Sequence, residues 1–167
     1  LVLDDSLLKL FETDWDYKLM RHNTDENGPS YEMMGQTSLP FIWATVVLFR
    51  KCPRTQLFFE MVGRIQRNYS YYRLLYNISE GNYRNDYAFA IADIILSGYN
   101  INEYAGIPWK MFTLTNQLSE LVYDSSIRAY FTERNPLVLH MQNIHVMDKA
   151  YLQTQQFKDF VESICAR

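Results

Sequence analysis

The sequence comprises 167 residues, of which 48% are hydrophobic, and it carries a formal net charge of -3. This length and this balance allow a sizeable buried core, which excludes an intrinsically disordered chain. The apolar runs stay well below the roughly 20 residues that span a bilayer, so we expect no membrane span.

The two cysteines indicate the cellular location, and the lack of linkers indicates the number of domains. Cys52 and Cys165 lie far apart without a C-x-x-C spacing, which speaks against a disulfide scaffold or a zinc site and favours the reducing cytoplasm. No linker or repeat interrupts the sequence, so we expect a single domain over 1–167. The opening Leu-Val-Leu resembles a strand already under way, which indicates the C-terminal portion of a longer chain.

The first half of the chain alternates between strand-like and helical apolar patterns. A β-branched and aromatic run over 43–49 lacks polar alternation, which is typical of a central strand covered on both faces. The helical stripe over 85–96 is followed by Gly98, a residue that commonly ends helices. The expected elements are a strand over 1–3, a short helix over 7–11, a strand over 15–22, a loop over 24–30, the strand over 43–49, a helix after Pro53 and a helix over 85–96.

The second half contains short strand-like segments and a closing amphipathic helix. Strands interleaved with helices, with more antiparallel character late in the chain, indicate an α/β fold with α+β character and a mixed sheet flanked by helices. The expected elements here are strands over 111–114, 118–123, 128–132 and 137–146 and a helix over 148–164.

Two polar clusters could carry chemistry. Asp4 and Asp5 end the first predicted strand, where paired carboxylates suit a divalent cation, although the same residues suit an ordinary helix cap. The polar stretch 81–87 opens a predicted helix. Its Asn85 and Asp86 can cap that helix, or they can bind sugar hydroxyls and supply a carboxylate for a base or for orientation.

Two further features leave similar alternatives open. His145 ends an apolar run and is followed by Asp148 and Lys149, so it is either a half-buried core residue or a metal ligand beside a phosphate-binding ammonium. Tyrosines and arginines also alternate over 64–87. This Tyr/Arg belt would suit stacking on bases or sugars, or it is one half-buried helix. Its members are Tyr69, Tyr71, Tyr72, Tyr76, Tyr83, Tyr87, Arg64, Arg67, Arg73 and Arg84.

Four segments, taken in chain order, resemble one enzyme family. Residues 1–12 resemble the phrase that follows the family's aspartate-x-aspartate metal motif, and residues 41–49 resemble its Phe-Asn-Thr-Gly-Val-Ile-Ala-Phe segment. Asn85 and Asp86 match part of an Asn-Asp-Gln helix start, and His145 with Lys149 matches a late His and Lys. The family is that of GT-A-type nucleotide-sugar glycosyltransferases, particularly the short members common in bacteria and tailed phages.

The resemblance implies the acceptor-side half of a GT-A fold, which transfers a sugar from a nucleotide sugar to an acceptor that stays open. A modified DNA base is one acceptor that would suit the Tyr/Arg belt. The resemblance implies Mn²⁺ or Mg²⁺ as cofactor, although the metal motif itself would precede Leu1 and the ion can be absent from this chain. The implied site consists of Asp86 and Asn85 as catalytic residues, His145 as a metal ligand, and Lys149, Arg84, Trp43 and Tyr83 as substrate- and phosphate-binding residues.

This sequence departs from the family at two places that face the sugar. Ile42-Trp43-Ala44 stands where the family has Asn-Thr-Gly, and Tyr87 stands where it has Gln. The departures leave a second function open, a non-catalytic binding or structural module that uses the Tyr/Arg belt to hold a partner or a nucleic acid.

Overall fold

The computed structural model describes residues 5–21, 23–25, 28–29, 33–34, 37, 39–109, 111–114, 121–124, 129–132, 135–139, 144–147 and 149–165. The α-helices are α1 (Ser6–Lys9), α2 (Pro53–Arg67), α3 (Tyr69–Leu75), α4 (Asn85–Leu96) and α5 (Gln155–Cys165). The strands are β1 (Tyr17–Met20), β2 (Asn23–Asp25), β3 (Gly28–Pro29), β4 (Trp43–Phe49), β5 (Met111–Leu114), β6 (Leu121–Asp124), β7 (Ala129–Thr132), β8 (Asn135–Leu139) and β9 (Ile144–Val146).

The chain divides into two compact units. Unit 1 comprises residues 1–12, 23–30 and 110–167, and unit 2 comprises residues 13–22 and 31–109. The expected single domain over 1–167 stays a prediction. None of the helices in the described ranges is long and apolar enough to cross a membrane.

Unit 2 is built on an antiparallel pair of strands covered by helices. In the ladder between β1 and β4, Tyr17 lies opposite Phe49 and Leu19 lies opposite Val47. Helices α2 and α4 pack against each other, because each has an apolar stripe at helical spacing. Their buried residues join Tyr17 and Leu19 in one core that includes Phe58, Val62, Ile65, Ala88, Ile91 and Ala92.

The ends of α2 and α4 follow from local chemistry. Pro53 occupies the first turn of α2, where its missing N–H costs no hydrogen bond. Helix α4 ends at Leu96, and Gly98 adopts a φ of +64° just beyond it. This left-handed conformation is readily available to glycine because it has no Cβ.

Unit 1 contains two sheets and the closing helix. In the four-stranded sheet the order is β3-β2-β5-β9; β2 pairs with β5 and β5 with β9 in parallel, whereas β2 and β3 are antiparallel. The three-stranded sheet β6-β7-β8 is an antiparallel meander. The chain therefore mixes helices with both parallel and antiparallel strands, which confirms the α/β prediction at this coarse level.

The structure confirms several predicted elements and corrects others. The bounds of α4 and β4 are as expected. The predicted loop over 24–30 is wrong in part, since Thr24 and Asp25 pair with Pro29 and Gly28 as two short strands. The strand over 43–49 is not shown as a central strand, because within the described residues β4 pairs with β1 alone. The predicted strand over 1–3 lies outside the described residues.

Candidate functional site

The N-terminus of α4 brings together residues that the sequence analysis selected. The backbone N–H of Ala44, in β4, donates a hydrogen bond of 2.8 Å to Oδ1 of Asp86. Nη2 of Arg84 donates a hydrogen bond of 2.7 Å to Oδ2 of the same carboxylate. The Asp86 side chain is 16% exposed, so the carboxylate is largely shielded while one part of it still faces solvent.

The carboxylate of Asp86 therefore links two elements that are 42 positions apart in sequence. A carboxylate has about four lone-pair directions, and these two contacts leave room for further hydrogen bonds. Its position in the first turn of α4 is electrostatically favourable, because helix N-termini stabilise negative charge. Arg84 is the N-cap residue, and no side chain caps the helix. The prediction that Asn85 or Asp86 caps α4 is therefore wrong.

Tyrosines and a half-exposed arginine surround this helix start. The Tyr83 hydroxyl donates a hydrogen bond of 2.9 Å to Oδ1 of Asn85, and the Arg84 guanidinium lies 5.8 Å from the centre of the Tyr87 ring. Burial raises the pKa of Tyr83. Burial and a hydrogen bond to Glu80 raise the pKa of Tyr87 to about 12. Both phenols therefore stay protonated at neutral pH and can donate hydrogen bonds.

Trp43 reaches the same region through the backbone, because it precedes Ala44 at the start of β4. Its ring is half-buried and makes an edge-to-face contact with Phe41 at 5.4 Å between ring centres. The structure thus brings together five of the seven site residues that were predicted: Trp43, Tyr83, Arg84, Asn85 and Asp86. All five belong to unit 2.

His145 and Lys149 belong to unit 1. His145 lies on β9, half-buried, with Nδ1 at 3.2 Å from Oγ1 of Thr113 on the neighbouring strand β5. Lys149 is exposed in the turn that follows. Its ammonium is therefore exposed to solvent, and its role in phosphate binding stays a prediction.

The donor groups around His145 decide whether a divalent cation fits there. Across the described ranges, no three His, Cys, Asp or Glu side chains cluster in a way that could hold a metal ion. One imidazole is not sufficient to hold Mn²⁺ or Mg²⁺, which prefer several oxygen ligands. The described residues alone therefore do not fit the implied ion. Asp148, and the Asp4 of the other candidate metal site, lie outside the described residues.

Asp5, the partner of Asp4 in that candidate, is the N-cap residue of α1 but makes no side-chain cap hydrogen bond. Its carboxylate instead forms an exposed ion pair of 2.9 Å with Lys9 one turn later. The hydrogen bond from Lys9 lowers the pKa of Asp5. This contact is a surface helix pair and indicates no ligand.

Only part of the Tyr/Arg belt is exposed to solvent. Tyr69, Tyr72 and Tyr87 are buried, and Tyr72 and Tyr87 belong to the core of unit 2. Tyr71 is exposed, together with Leu74 and Leu75 on the same helix, α3. Stacking on bases or sugar rings by the whole belt therefore does not fit the structure, and its exposed members are Tyr71 and the arginines Arg64, Arg67 and Arg84.

The structure contains a further cleft that the sequence did not predict. It has a volume of about 280 Å³ and lies within unit 2. No sequence spacing connects its two walls, which lie almost 90 positions apart. Its lining consists of Asp14, Trp15, Asp16, Tyr17, Arg54, Asn102, Tyr104 and Ala105.

A buried charge cluster adjoins that cleft through Tyr17, which also lines it. Asp93 on α4 is fully buried; it accepts a hydrogen bond from the Arg21 guanidinium and one of 2.8 Å from the Tyr17 hydroxyl. Burial raises the pKa of Asp93, and the charge of Arg21 opposes that shift. Burial and the charge of Asp93 raise the pKa of Tyr17. These contacts join β1 to α4.

Comparison with known protein families, with curated proteins and with solved structures finds no match to this chain.

Proposed function

We propose that this chain is the acceptor-side part of a GT-A-type glycosyltransferase, which transfers a sugar from a nucleotide sugar to an acceptor hydroxyl or amine. One observation carries the proposal: Asp86 lies between the start of β4 and Arg84, so residues from two distant segments form one polar site. The ordered resemblance of four sequence segments to that family supports it. A cytoplasmic location is part of the same proposal.

In the proposed reaction, the bond between the anomeric carbon and the diphosphate oxygen breaks, and a bond from the acceptor atom to that carbon forms. The acceptor's proton passes to a base, and the nucleoside diphosphate leaves. Both oxygens of Asp86 already accept hydrogen bonds, which favours orientation of sugar or acceptor hydroxyls as its role. Asn85 and Tyr83 would add hydrogen bonds to hydroxyls, and Trp43 would provide apolar contact.

The arginine of this site is suited to the anionic end of the donor. Arg84 is about half exposed, and a guanidinium presents several donors to phosphate oxygens. Lys149, in unit 1, stays a predicted phosphate-binding residue. Dependence on Mn²⁺ or Mg²⁺ stays a prediction, and we assign no step to the ion because the described residues do not fit it.

Asp86 offers the direct test, with the full-length gene product as the protein. Nucleoside diphosphate release is measured with UDP-glucose, UDP-galactose and GDP-mannose, with Mn²⁺ or Mg²⁺ and with a chelator. We expect Asp86→Ala to lower the rate by about 100-fold, the scale of a misplaced substrate. The exposed carboxylate of Glu60 on α2 provides the control variant Glu60→Ala, which should keep the wild-type rate.

Wild-type rates in both Asp86→Ala and Asp86→Asn would refute the site. No release by the wild-type protein with any nucleotide sugar would refute the enzyme. A chelator that leaves the rate unchanged would refute the metal dependence alone.

One observation favours the second candidate, a non-catalytic binding module. Helix α3 exposes Tyr71, Leu74 and Leu75, with exposed fractions of 63%, 75% and 58%. Neighbouring exposed apolar residues mark interaction surfaces more often than isolated ones do. Arg64 and Arg67 are exposed near the end of α2, just before this helix. If this surface holds a nucleic acid, affinity must fall steeply with salt, and salt-independent binding would dismiss that partner.

A further inference from the structure

The cleft in unit 2 has two walls that are held in place by hydrogen bonds. On one wall, the Asp16 carbonyl accepts hydrogen bonds from the backbone N–H of Arg50 at 2.9 Å and from Oγ1 of Thr55 at 3.0 Å. On the other wall, the 3-10 turn Glu103–Ala105 is followed by Ile107, whose N–H bonds to the Leu19 carbonyl at 2.9 Å. The two walls are thus tied to the ends of β1, and the cleft is largely preformed.

The cleft presents an aromatic face. Tyr104 is 87% exposed, although its backbone carbonyl accepts a hydrogen bond from Lys18. Trp15, on the opposite wall, is half-buried with the Arg50 guanidinium 5.2 Å from its ring centre. A large exposed ring loses water favourably when a flat apolar surface covers it. Tyr104 is therefore placed to cover one face of a ring-shaped ligand.

Polar groups of both kinds line the same space. The carboxylates of Asp14 and Asp16 are exposed and accept hydrogen bonds. The amide of Asn102 both donates and accepts, and the Arg54 guanidinium donates. This mixture of acceptors and donors beside an aromatic ring suits a ligand that carries many hydroxyl groups, since each hydroxyl both donates and accepts.

The charges around the cleft favour a neutral ligand. Nε of Arg54 lies 3.6 Å from Oδ2 of Asp16, with both side chains about half exposed. Arg50 and Lys18 add positive charge next to Trp15 and Tyr104. The three cations and the carboxylates of Asp14 and Asp16 nearly offset each other, so a ligand charge of either sign gains little here.

The cleft is distinct from the Asp86 site. Asp86 contacts Ala44 at the start of β4, whereas Asp16 contacts Arg50 just after its end. These two contacts therefore lie near opposite ends of β4. Arg54 also bonds to the carbonyl of Leu96 at the C-terminal end of α4, opposite the end that carries Asp86.

We propose that this cleft binds the pyranose ring of a neutral saccharide, with Tyr104 against one face of the ring and with Asp14, Asp16 and Asn102 hydrogen-bonded to its hydroxyls. The site goes beyond the proposed sugar transfer, which does not require it. It would hold a saccharide on the protein independently of the donor sugar.

The test uses saturation-transfer NMR and a binding titration with the full chain. The probes are methyl α-D-glucopyranoside, methyl β-D-galactopyranoside and N-acetylglucosamine, with n-butylammonium as a cationic comparison. We expect at least one pyranoside to bind and Tyr104→Ala to weaken it about tenfold, the effect of one aromatic contact. Asp14→Asn should weaken the same pyranoside, because its charged acceptor is lost.

Two control variants test whether the saccharide binds in the cleft and not elsewhere on the protein. Tyr71→Ala removes an exposed tyrosine from α3 and should leave the affinity unchanged. Asp86→Asn should also leave it unchanged, since it alters only the other site. Binding that is lost in Asp86→Asn but kept in Tyr104→Ala would place the sugar at the Asp86 site and overturn this inference. Binding of n-butylammonium alone, or of no probe, would overturn it as well, whatever the outcome for nucleotide-sugar turnover.

Discussion

The buried pair Arg21–Asp93 allows a sharp test of how unit 2 is held together. The Asp93 side chain is 0% exposed and the Arg21 side chain 5%. The substitution Asp93→Asn keeps an oxygen that can accept the hydrogen bond from Tyr17, but it leaves the guanidinium buried without its counter-charge. Removing one partner of a buried ion pair typically costs about 3–5 kcal/mol of the free energy of unfolding, so we expect a loss of that size.

Two further variants separate the contributions. Tyr17→Phe removes one hydrogen bond to a charged acceptor, which should cost about 1.5–3 kcal/mol. The double substitution Arg21→Met with Asp93→Leu removes both charges together. It should be more stable than Asp93→Asn, because no unpaired charge remains in the core.

Urea unfolding followed by tryptophan fluorescence suits these variants. All three tryptophans, Trp15, Trp43 and Trp109, lie in unit 2, so the signal reports that unit alone. A loss below about 1 kcal/mol for Asp93→Asn, the scale of an exposed ion pair, would show that the pair is hydrated and would refute the reasoning. A double variant that is less stable than Asp93→Asn would refute it too.

Two other predictions concern single contacts. Gly98→Ala should lower the free energy of unfolding by about 1–2 kcal/mol, because a residue with a Cβ disfavours the φ of +64°. The added Cβ would meet no atom within 4 Å, so the cost is conformational and not steric crowding. The preceding Ser97→Ala, at a φ of -92°, serves as the control and should cost less. Burial and a hydrogen bond to Glu80 raise the pKa of Tyr87 from 10.0 to about 12. The folded state therefore favours protonated Tyr87. The contribution of this phenol to the free energy of unfolding is complete below pH 10 and is lost as the pH rises towards 12. Alkaline unfolding curves should show a larger loss in the wild type than in Tyr87→Phe, which keeps the other buried tyrosines, and identical curves would contradict the assignment.

Patterns that are local in sequence predicted the fold best. The bounds of α4 follow from its apolar stripe and from Gly98, and the start of α2 follows from Pro53. The β2–β3 pair was missed because the residues around its turn are polar, so no alternating apolar pattern accompanied the turn signals. The partner of β4 was not predictable, because a strand's neighbours depend on contacts with distant segments.

The same distinction holds for the candidate sites. The polar start of α4 was visible as a dense run of Asn, Arg and Asp, but its contact with Ala44 joins positions 42 apart. Burial of Tyr72 and Tyr87 depends on tertiary packing, so the Tyr/Arg belt looked more accessible in sequence than it is. The saccharide cleft combines positions 14–17 with 102–105, and no sequence period connects such segments.

The measurement that most directly tests the proposed function is the stability of the chain in the presence of a nucleotide sugar. The unfolding free energy is followed by tryptophan fluorescence during titration with UDP-glucose, UDP-galactose or GDP-mannose and Mn²⁺. A ligand that binds only the folded state must stabilise it, by about 2.7 kcal/mol at 100 times its Kd. We predict that one nucleotide sugar raises the stability of the wild type and not that of Asp86→Ala. No rise with any of them at millimolar concentration would contradict the glycosyltransferase proposal and favour the binding module.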